Sequence, residues 1–203
     1  MHENLPDDPQ KWELAEPALV EEVDFLVEGE HLCHGWTARG LVVTSVADGV
    51  SELVRLNLDD GSSRHVCEVE GFVTALAGQR EQNRVAAVVE QGGSSPAVLS
   101  IDSTTGETET LLESDSPRAT PVLGWSPDGS YVAVSVAANE PEGIVVVDGR
   151  RGAVVDRVAL DGGEFVEWDE RGVWMRVSKH HPSGWFEAHL WDPDANALRS
   201  EEH

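Results

Sequence analysis

A short apolar stretch that ends near an aspartate recurs four times along the chain at nearly constant intervals. The four stretches, each with the turn that follows, read LVRLNLDDG, AVLSIDSTTG, GIVVVDGRRG and AHLWDPDAN, and their aspartates are Asp59, Asp102, Asp148 and Asp192. Spacings of 43, 46 and 44 residues indicate tandem structural units, each long enough for one small sheet. The repeat therefore limits the fold to four similar units in series.

Each of these aspartates precedes a residue suited to a tight turn. In three units the turn closes on Gly61, Gly106 or Gly152, and in the fourth on Asn196. Glycine and asparagine adopt a positive φ at the lowest cost, so these segments are predicted to be hairpin turns.

A second feature recurs in register with the first. Three units contain a tryptophan with a glycine four residues further on: Trp36 and Gly40, Trp125 and Gly129, and Trp168 and Gly172. In the second unit, Ala77 and Asn83 stand near these two positions. A strand follows each of these turns, so every unit is predicted to consist of strands A, B, C and D joined by turns and one polar B–C loop.

These signals predict an all-β chain of four tandem four-stranded antiparallel repeats. The middle strands, such as YVAVSV, are apolar on both faces, which suits sheets that are covered on both sides. The repeats are predicted at roughly 30–70, 71–117, 118–162 and 163–203, in a domain of 23–203 that follows an acidic segment at 1–22. A β-sandwich of short strands is the alternative.

The third unit resembles a known family of repeats. GWSPDGSYVAVSV at 124–136, followed by IVVVDGRRGAVV at 144–155, is similar to a blade of a TolB-type or WD-repeat-like β-propeller. The resemblance implies a small propeller fold over residues 30–200 and no particular chemistry, because propellers serve many functions.

Closure of such a ring needs a strand that joins its two ends. VDFLVEG at 23–29 is spaced from Trp36 much as VCEVEG at 66–71 is spaced from Ala77. Val23–Val27 is therefore predicted to supply the outer strand of the fourth repeat, which removes an exposed sheet edge. The alternative is that this strand reaches a second chain, which gives a strand-exchanged dimer or a dimeric ring instead of a monomer.

The charge of the chain restricts its partners. There are 38 acidic residues and 14 basic ones, for a net charge of −24, which argues against nucleic acid as a partner. A solvated acidic surface explains such a composition, and so does electrostatic steering of a basic partner. Segment 1–30 holds ten acidic residues and one basic residue, Lys11, and is a candidate for that steering.

The cysteines and the N-terminus indicate a cytoplasmic protein without cofactors. The chain begins without a basic start or an apolar signal stretch, and its apolar runs are too short for a membrane helix. Cys33 and Cys67 are predicted to be free thiols. The segments HLCH at 31–34 and HVC at 65–67 contain zinc-type donors but are predicted on strands A and D, with two strands between them. The segment 192–203 lacks the glycine and glutamate of a calcium loop.

One end of the repeats is the predicted binding surface. In this strand order the B–C loops and the D–A connections gather at the same end, and loops on a rigid scaffold often carry function. The fourth B–C loop, within SKHHPSGWFEAH at 178–189, combines cationic and aromatic side chains of the kind found in interfaces. The candidate partner-binding residues at this end are Gln91, Glu140, Glu142, Lys179, His180, His181 and Trp185.

The leading functional hypothesis is a scaffold module that binds a protein or peptide. A narrower form is an acidic inhibitor or immunity-type protein for a basic partner. No nucleophile elbow, phosphate loop or dinucleotide motif is present, so an enzyme is not expected. The alternative is a glycoside-binding or hydrolytic enzyme that uses the central channel, with His34, Glu167 and Asp169 as candidate groups.

Overall fold

A computed structural model describes most of the chain from residue 31 onwards. The described residues are 31–92, 96–113, 123–138, 140–159, 164–169, 174–180, 186–193, 195 and 197–200. Their regular structure consists of sixteen strands in four antiparallel sheets. No helix in this part of the chain is long and apolar enough to cross a membrane.

Each sheet is formed by four consecutive strands. The first sheet contains β1 (His31–Thr37), β2 (Gly40–Ala47), β3 (Val50–Leu56) and β4 (Ser63–Glu70). The second contains β5 (Phe72–Gly78), β6 (Arg84–Glu90), β7 (Ala97–Asp102) and β8 (Thr108–Glu113). The third contains β9 (Leu123–Trp125), β10 (Tyr131–Ala138), β11 (Glu140–Asp148) and β12 (Val154–Ala159). The fourth contains β13 (Glu164–Asp169), β14 (Trp174–His180), β15 (Phe186–Asp192) and β16 (Ala197–Ser200).

The predicted order of strands A, B, C and D is confirmed in all four units. Within each sheet the spatial order is the sequence order, so every pairing joins neighbours along the chain. A β-sandwich distributes its strands between two facing sheets. Because each sheet here consists of four consecutive strands of one repeat, the sandwich alternative is wrong.

The C–D turn is held by the residue that precedes it. The Asp148 carboxylate accepts backbone N–H bonds from Arg150 and Arg151 at 2.8 and 3.0 Å, and the Asp148 carbonyl accepts one from Gly152 at 3.0 Å. Asp102 makes the same three bonds with Thr104, Thr105 and Gly106. The recurring aspartate thus caps a five-residue turn that ends on a glycine with positive φ.

Two positions of the predicted repeat need correction. In the first unit Gly61 donates to the carbonyl of Asn57, so Asn57 and not Asp59 holds the capping position, four residues before the glycine. In the first, third and fourth sheets, the strand-A tryptophan pairs with the second residue of strand B. The pairs are Trp36 with Leu41, Trp125 with Val132, and Trp168 with Met175. The corresponding pair in the second sheet is Gly78 and Val85, so Gly78 and not Ala77 replaces the tryptophan.

The apolar core lies between consecutive sheets. Val42 and Leu53 of the first sheet pack with Val85 and Ile101 of the second. The second and third sheets meet through a cluster of Val88, Val98, Val132 and Val147. The third and fourth meet through a cluster of Ala133, Val146, Met175 and Trp191. The two inner sheets are therefore covered on both faces, as their apolar strands predicted.

Tryptophans of strand A join the third and fourth sheets to the sheets before them. The indole N–H of Trp125 donates to the carbonyl of Ala77 at 3.1 Å, and that of Trp168 donates to the carbonyl of Gly124 at 3.0 Å. By strand register, Ala77 and Gly124 are equivalent residues of their sheets. The recurring tryptophan thus satisfies its buried polar group on the backbone of the preceding sheet.

The outer strand of the fourth sheet differs from the prediction. β16 pairs with β15 from Asp192↔Ala197 to His189↔Ser200, and so takes the position assigned to Val23–Val27. β14 occupies one edge of β15, and the other edge is free for the segment that follows β15 directly in the chain. That segment is β16, which reaches this edge without a long connection. Val23–Val27 lies outside the described residues.

Candidate functional site

The B–C and D–A connections meet at one end of the first two sheets. The Gly71 N–H donates to the Gly49 carbonyl at 2.9 Å, and the Ser51 hydroxyl donates to the Gly71 carbonyl at 2.8 Å. Asp48 and Gly49 have φ values of 53° and 81°, which form a tight hairpin turn that matches the strand twist. The first B–C turn and the connection to the second sheet are therefore one hydrogen-bonded unit.

An exposed aromatic side chain lies directly beside this unit. Phe72, the first residue of β5, is 47% exposed, although Val73 next to it is buried. Glu90 lies opposite Phe72 in the strand pair, and the Gln91 side chain donates to the Glu70 carbonyl at 3.1 Å. We call Asp48, Glu70, Phe72, Glu90 and Gln91 the Phe72 surface.

Phe72 was missed by the sequence analysis, although a signal was present. It follows Gly71 at a D–A connection and is adjacent to a second apolar residue, Val73. Because adjacent residues of a strand point to opposite faces, a strand that buries one face buries only one of the two.

The predicted partner-binding residues have several different placements. Gln91 is exposed and belongs to the Phe72 surface. Glu140 and Glu142 lie within β11, and Lys179 and His180 lie within β14, so these four are strand residues and the prediction of loops was wrong. His181 and Trp185 lie outside the described residues.

The physical reason is that two hairpins extend further than their polar sequences indicated. The pairing of β10 with β11 continues to Ala138↔Glu140, and that of β14 with β15 continues to His180↔Phe186. Backbone hydrogen bonding does not depend on the polarity of the side chains, so a ladder can run into a polar segment.

A cleft of about 620 Å³ lies at the opposite end of the first sheet, around its A–B and C–D turns. Trp36 and Leu58, both 37% exposed, line it together with Arg39, Arg55 and Arg64. The Arg55 guanidinium donates to the Ser103 carbonyl of the second sheet at 3.1 Å. None of these arginines has a carboxylate partner within 4.0 Å among the described residues. Asp59 also lines the cleft, which therefore holds three basic side chains and one acidic side chain.

The candidate catalytic groups of the channel hypothesis lie on strands of two different sheets. His34 is an exposed residue of β1, and Glu167 is an exposed residue of β13. Asp169 ends β13 and pairs with Trp174 of β14. In the segment that resembles a calcium loop, the Asp192 carboxylate accepts a hydrogen bond from the Ala195 N–H and forms an ion pair with Arg199 at 2.6 Å. These contacts stabilise the turn between β15 and β16.

The two cysteines are free, as predicted, and stand on the outer strands β1 and β4 with β2 and β3 between them. Burial raises the pKa of the Cys67 thiol to about 11. Burial also raises the pKa of Cys33, against the smaller opposing effect of a hydrogen bond with Thr44. Both thiols therefore favour the protonated, unreactive form.

Alkylation of Cys67 should consequently be slow in the native protein. In a Cys33→Ser variant, we expect the rate with iodoacetamide at pH 8 to be about 100-fold lower than in guanidinium chloride, because only the thiolate reacts. The native rate should rise with pH towards a midpoint of about 11. Equal rates in the native and the unfolded protein contradict this placement of Cys67.

Solved structures share this arrangement of sheets. The chain aligns over 85% of its length with 43% of the crystal structure of TolB from Acinetobacter baumannii, with a TM-score of 0.62 and 12% identity. It aligns over 84% of its length with 56% of the β-propeller domain of the Trilobed protease from Pyrococcus furiosus, described as having an open velcro topology, with a TM-score of 0.62 and 13% identity. A putative TolB from Agrobacterium tumefaciens is 18% identical over 87% of this chain and 63% of that one, with a TM-score of 0.59.

This chain has a TolB-type β-propeller fold. The predicted resemblance is confirmed at the level of the fold, which is all that identities this low can show. The chain spans only 43%, 56% and 63% of the three structures named above. No protein-family model and no curated protein matches the sequence.

Proposed function

We propose that this protein is a binding scaffold that holds a basic segment of a partner protein on the Phe72 surface. The single observation that carries the proposal is Phe72 itself, a large apolar side chain 47% exposed at the end of the sheets. A scattered apolar residue on a surface needs no explanation. Phe72, however, begins a strand directly after a hydrogen-bonded connection, so it is positioned at little entropic cost.

Rigid backbone supports this surface on both sides of the aromatic ring. The Gly71 carbonyl and the Val73 N–H, which flank Phe72, are both bonded to the Ser51 hydroxyl, at 2.8 and 3.0 Å. Gly71 has a φ of 110°, and an added Cβ there would lie 2.5 Å from the Glu90 carbonyl oxygen. Little ordering of the backbone is then needed on binding, which favours affinity.

The charge around Phe72 supports a basic partner. Glu90 lies opposite Phe72 in the strand pair, Glu70 comes two residues before it, and Asp48 belongs to the turn whose Gly49 carbonyl accepts from Gly71. The chain as a whole carries −24. A segment with an apolar side chain between lysines or arginines complements such a surface, and the overall field accelerates its approach. An acidic inhibitor of a basic protein is the form of scaffold that this charge favours most.

Replacement of Phe72 by alanine should weaken binding of such a segment. The probe is a fluorescein-labelled peptide with leucine and phenylalanine between arginines, followed by anisotropy at 50 and 300 mM salt. We expect Phe72→Ala to raise Kd at least about 10-fold, as for a central aromatic of an interface, and salt to weaken binding by both proteins.

Val154→Ala is the matched control, because Val154 is 41% exposed on β12, away from the Phe72 surface. Its Kd should equal that of the unsubstituted protein. A peptide with glutamate in place of arginine should not bind. The proposal fails if Phe72→Ala and Val154→Ala bind alike, or if the acidic peptide binds as well as the basic one.

A further inference from the structure

The cleft at the end of the first sheet lies between the tips of its two hairpins. Residues 36–40 of the A–B hairpin line one part of it, and residues of the C–D hairpin, from Arg55 to Arg64, line the rest. Its volume of about 620 Å³ is typical of sites that bind small molecules. We call it the Trp36 cleft. It lies at the other end of the sheets from the Phe72 surface.

Hydrogen bonds hold both walls of the Trp36 cleft in place. On the A–B side, the Ala38 N–H donates to the Gln82 carbonyl of the second sheet at 2.9 Å. On the C–D side, the Gly61 N–H donates to the Asn57 carbonyl at 2.9 Å, and the Asn57 N–H donates to the Ser62 carbonyl at 2.8 Å. A cleft with walls fixed in this way needs little ordering when a ligand binds.

Two arginines of the cleft lie directly opposite each other in the C–D strand pair. Arg55 of β3 pairs with Arg64 of β4, so the two side chains are on the same face of the sheet. Like charges in this arrangement destabilise a strand pair. Neither arginine has a carboxylate within 4.0 Å among the described residues, and Arg39 adds a third basic side chain from the A–B turn. An anionic group bound here would offset a repulsion that the chain itself leaves in place.

The second sheet holds one of these arginines in position. The Arg55 guanidinium donates one N–H to the Ser103 carbonyl at 3.1 Å. A guanidinium has several N–H donors, so others remain for a ligand. Its planar fork binds a phosphate or a carboxylate through two parallel hydrogen bonds, and a side chain that is already positioned loses little freedom on binding.

Trp36 lies on the other face of the sheet from this pair of arginines. Trp36 pairs with Leu41, and Leu41 pairs with Leu56, whereas Arg55 is adjacent to Leu56 and so points to the opposite face. The Trp36 side chain is 37% exposed where it lines the cleft, and an exposed indole is a stacking surface for a planar ring. A ligand that contacts both must therefore carry its ring and its anionic group at different ends.

The one carboxylate of the cleft, that of Asp59, restricts the ligand further. The neighbouring Asp60 carboxylate accepts hydrogen bonds from the hydroxyl and the N–H of Ser62 at 2.6 and 2.9 Å. In the part of the chain that the structure describes, no such donor contacts the Asp59 carboxylate. A wholly acidic ligand, such as an acidic peptide, would be repelled by Asp59, whereas hydroxyl groups between the ring and the anion would supply it with donors.

We propose that the Trp36 cleft binds a nucleoside phosphate. The phosphate contacts Arg55 and Arg64, the ribose hydroxyls donate to the Asp59 carboxylate, and the base stacks on Trp36. The net charge of −24 repels a nucleic acid polymer, which would lie along much of the surface. A mononucleotide is smaller than the distance over which charges act at physiological salt, about 8 Å, allows, so the arginines of the cleft dominate the field that it meets.

The test is isothermal titration calorimetry of the full chain with AMP and with ADP, without divalent cations. We expect one site per chain and a Kd at least about 10-fold lower than for adenosine, ribose 5-phosphate or inorganic phosphate, each of which lacks the phosphate, the base or both. Arg64→Gln and Trp36→Leu should each raise the Kd at least about 10-fold. Arg150→Gln is the matched control, because Arg150 is an exposed arginine of the third sheet's C–D turn and its loss changes the net charge equally.

Two further measurements separate binding from folding and identify the role of the carboxylate. Arg64→Gln should not lower the melting temperature of the unliganded protein, because it removes the repulsion between Arg55 and Arg64. Asp59→Ala should remove the preference for AMP over its 2′,3′-dideoxy analogue, since only AMP has ribose hydroxyls that can donate to this carboxylate.

Four results would overturn the proposal. These are no binding of AMP or ADP at millimolar concentration, equal affinities for AMP and inorganic phosphate, tighter binding of a phosphotyrosine peptide than of either nucleotide, and equal affinities of Arg64→Gln and Arg150→Gln for AMP. The nucleotide site is independent of the proposed binding function, because the Phe72 surface lies at the other end of the sheets and its peptide probe carries no phosphate. Either proposal can therefore fail while the other stands.

Discussion

Replacement of Gly78 by alanine is expected to lower the free energy of unfolding by at least about 3 kcal/mol, because the added methyl group has no space. A Cβ at this position would lie 1.9 Å from the carbonyl oxygen of Trp36 and 2.5 Å from its backbone nitrogen. These are backbone atoms of β1 and cannot rotate away. A Cβ added at Gly35 on β1 would in turn lie 2.6 Å from the Gly78 nitrogen, so neither strand can yield without separating the first two sheets.

Gly92→Ala is the matched control for this substitution. A Cβ at Gly92 meets no atom within 4 Å, and no positive φ is found there. Its effect should stay within about 0.5 kcal/mol. Urea unfolding followed by circular dichroism, at one protein concentration for all variants, gives the comparison. Similar midpoints for the two alanine variants contradict the close approach of β1 and β5.

Replacement of Trp191 by alanine should cost about 3–5 kcal/mol, which corresponds to a melting temperature about 10 °C lower for a chain of this size. Trp191 is 0% exposed, and its ring lies edge-on to those of Tyr131 and Trp168, with centroids 5.5 and 6.2 Å away. Its indole N–H donates to the Asp156 carboxylate at 2.8 Å. The substitution removes a fully buried tryptophan from the cluster between the third and fourth sheets and leaves a half-buried carboxylate without this donor.

Trp191→Phe separates the two contributions to this effect. It retains an aromatic ring between the sheets but removes the donor to Asp156, so we expect a loss of about 1–2 kcal/mol. Phe72→Ala removes an exposed ring and should change stability by about 0.5 kcal/mol or less. Calorimetry at fixed protein concentration tests all three variants. If Trp191→Ala loses no more than Phe72→Ala, the third and fourth sheets do not pack as described.

Much of the fold was predictable because the signals that specify it are local. The turn around Asp148 requires a side-chain acceptor at its start and a glycine four residues later, and both can be recognised in GRRG and its relatives. The alternation of turns and apolar strands then determined the antiparallel order within each sheet. The positions of the recurring residues were predicted wrongly where another residue type stands in their place: Asn57 for the aspartate in the first unit, and Gly78 for the tryptophan in the second.

The candidate site was less predictable because exposure depends on neighbours that are distant in sequence. Phe72 and Val73 are both apolar, and only the packing of the second sheet on the first shows that one is exposed and the other buried. Glu140 and Lys179 have polar neighbours that suggest loops, yet cross-strand hydrogen bonding extends the hairpins through them.

By itself, the sequence determined that the chain is a series of four antiparallel units, because turn residues and strand periodicity act over a few residues. Only the tertiary structure decided which sheet faces which, because that depends on how side chains of separate units fit together. It placed Trp125 and Trp168 against the backbone of the preceding sheet and left Trp36, the same residue in the same register, partly exposed. The difference between these three tryptophans is one of packing between sheets, which no local pattern encodes.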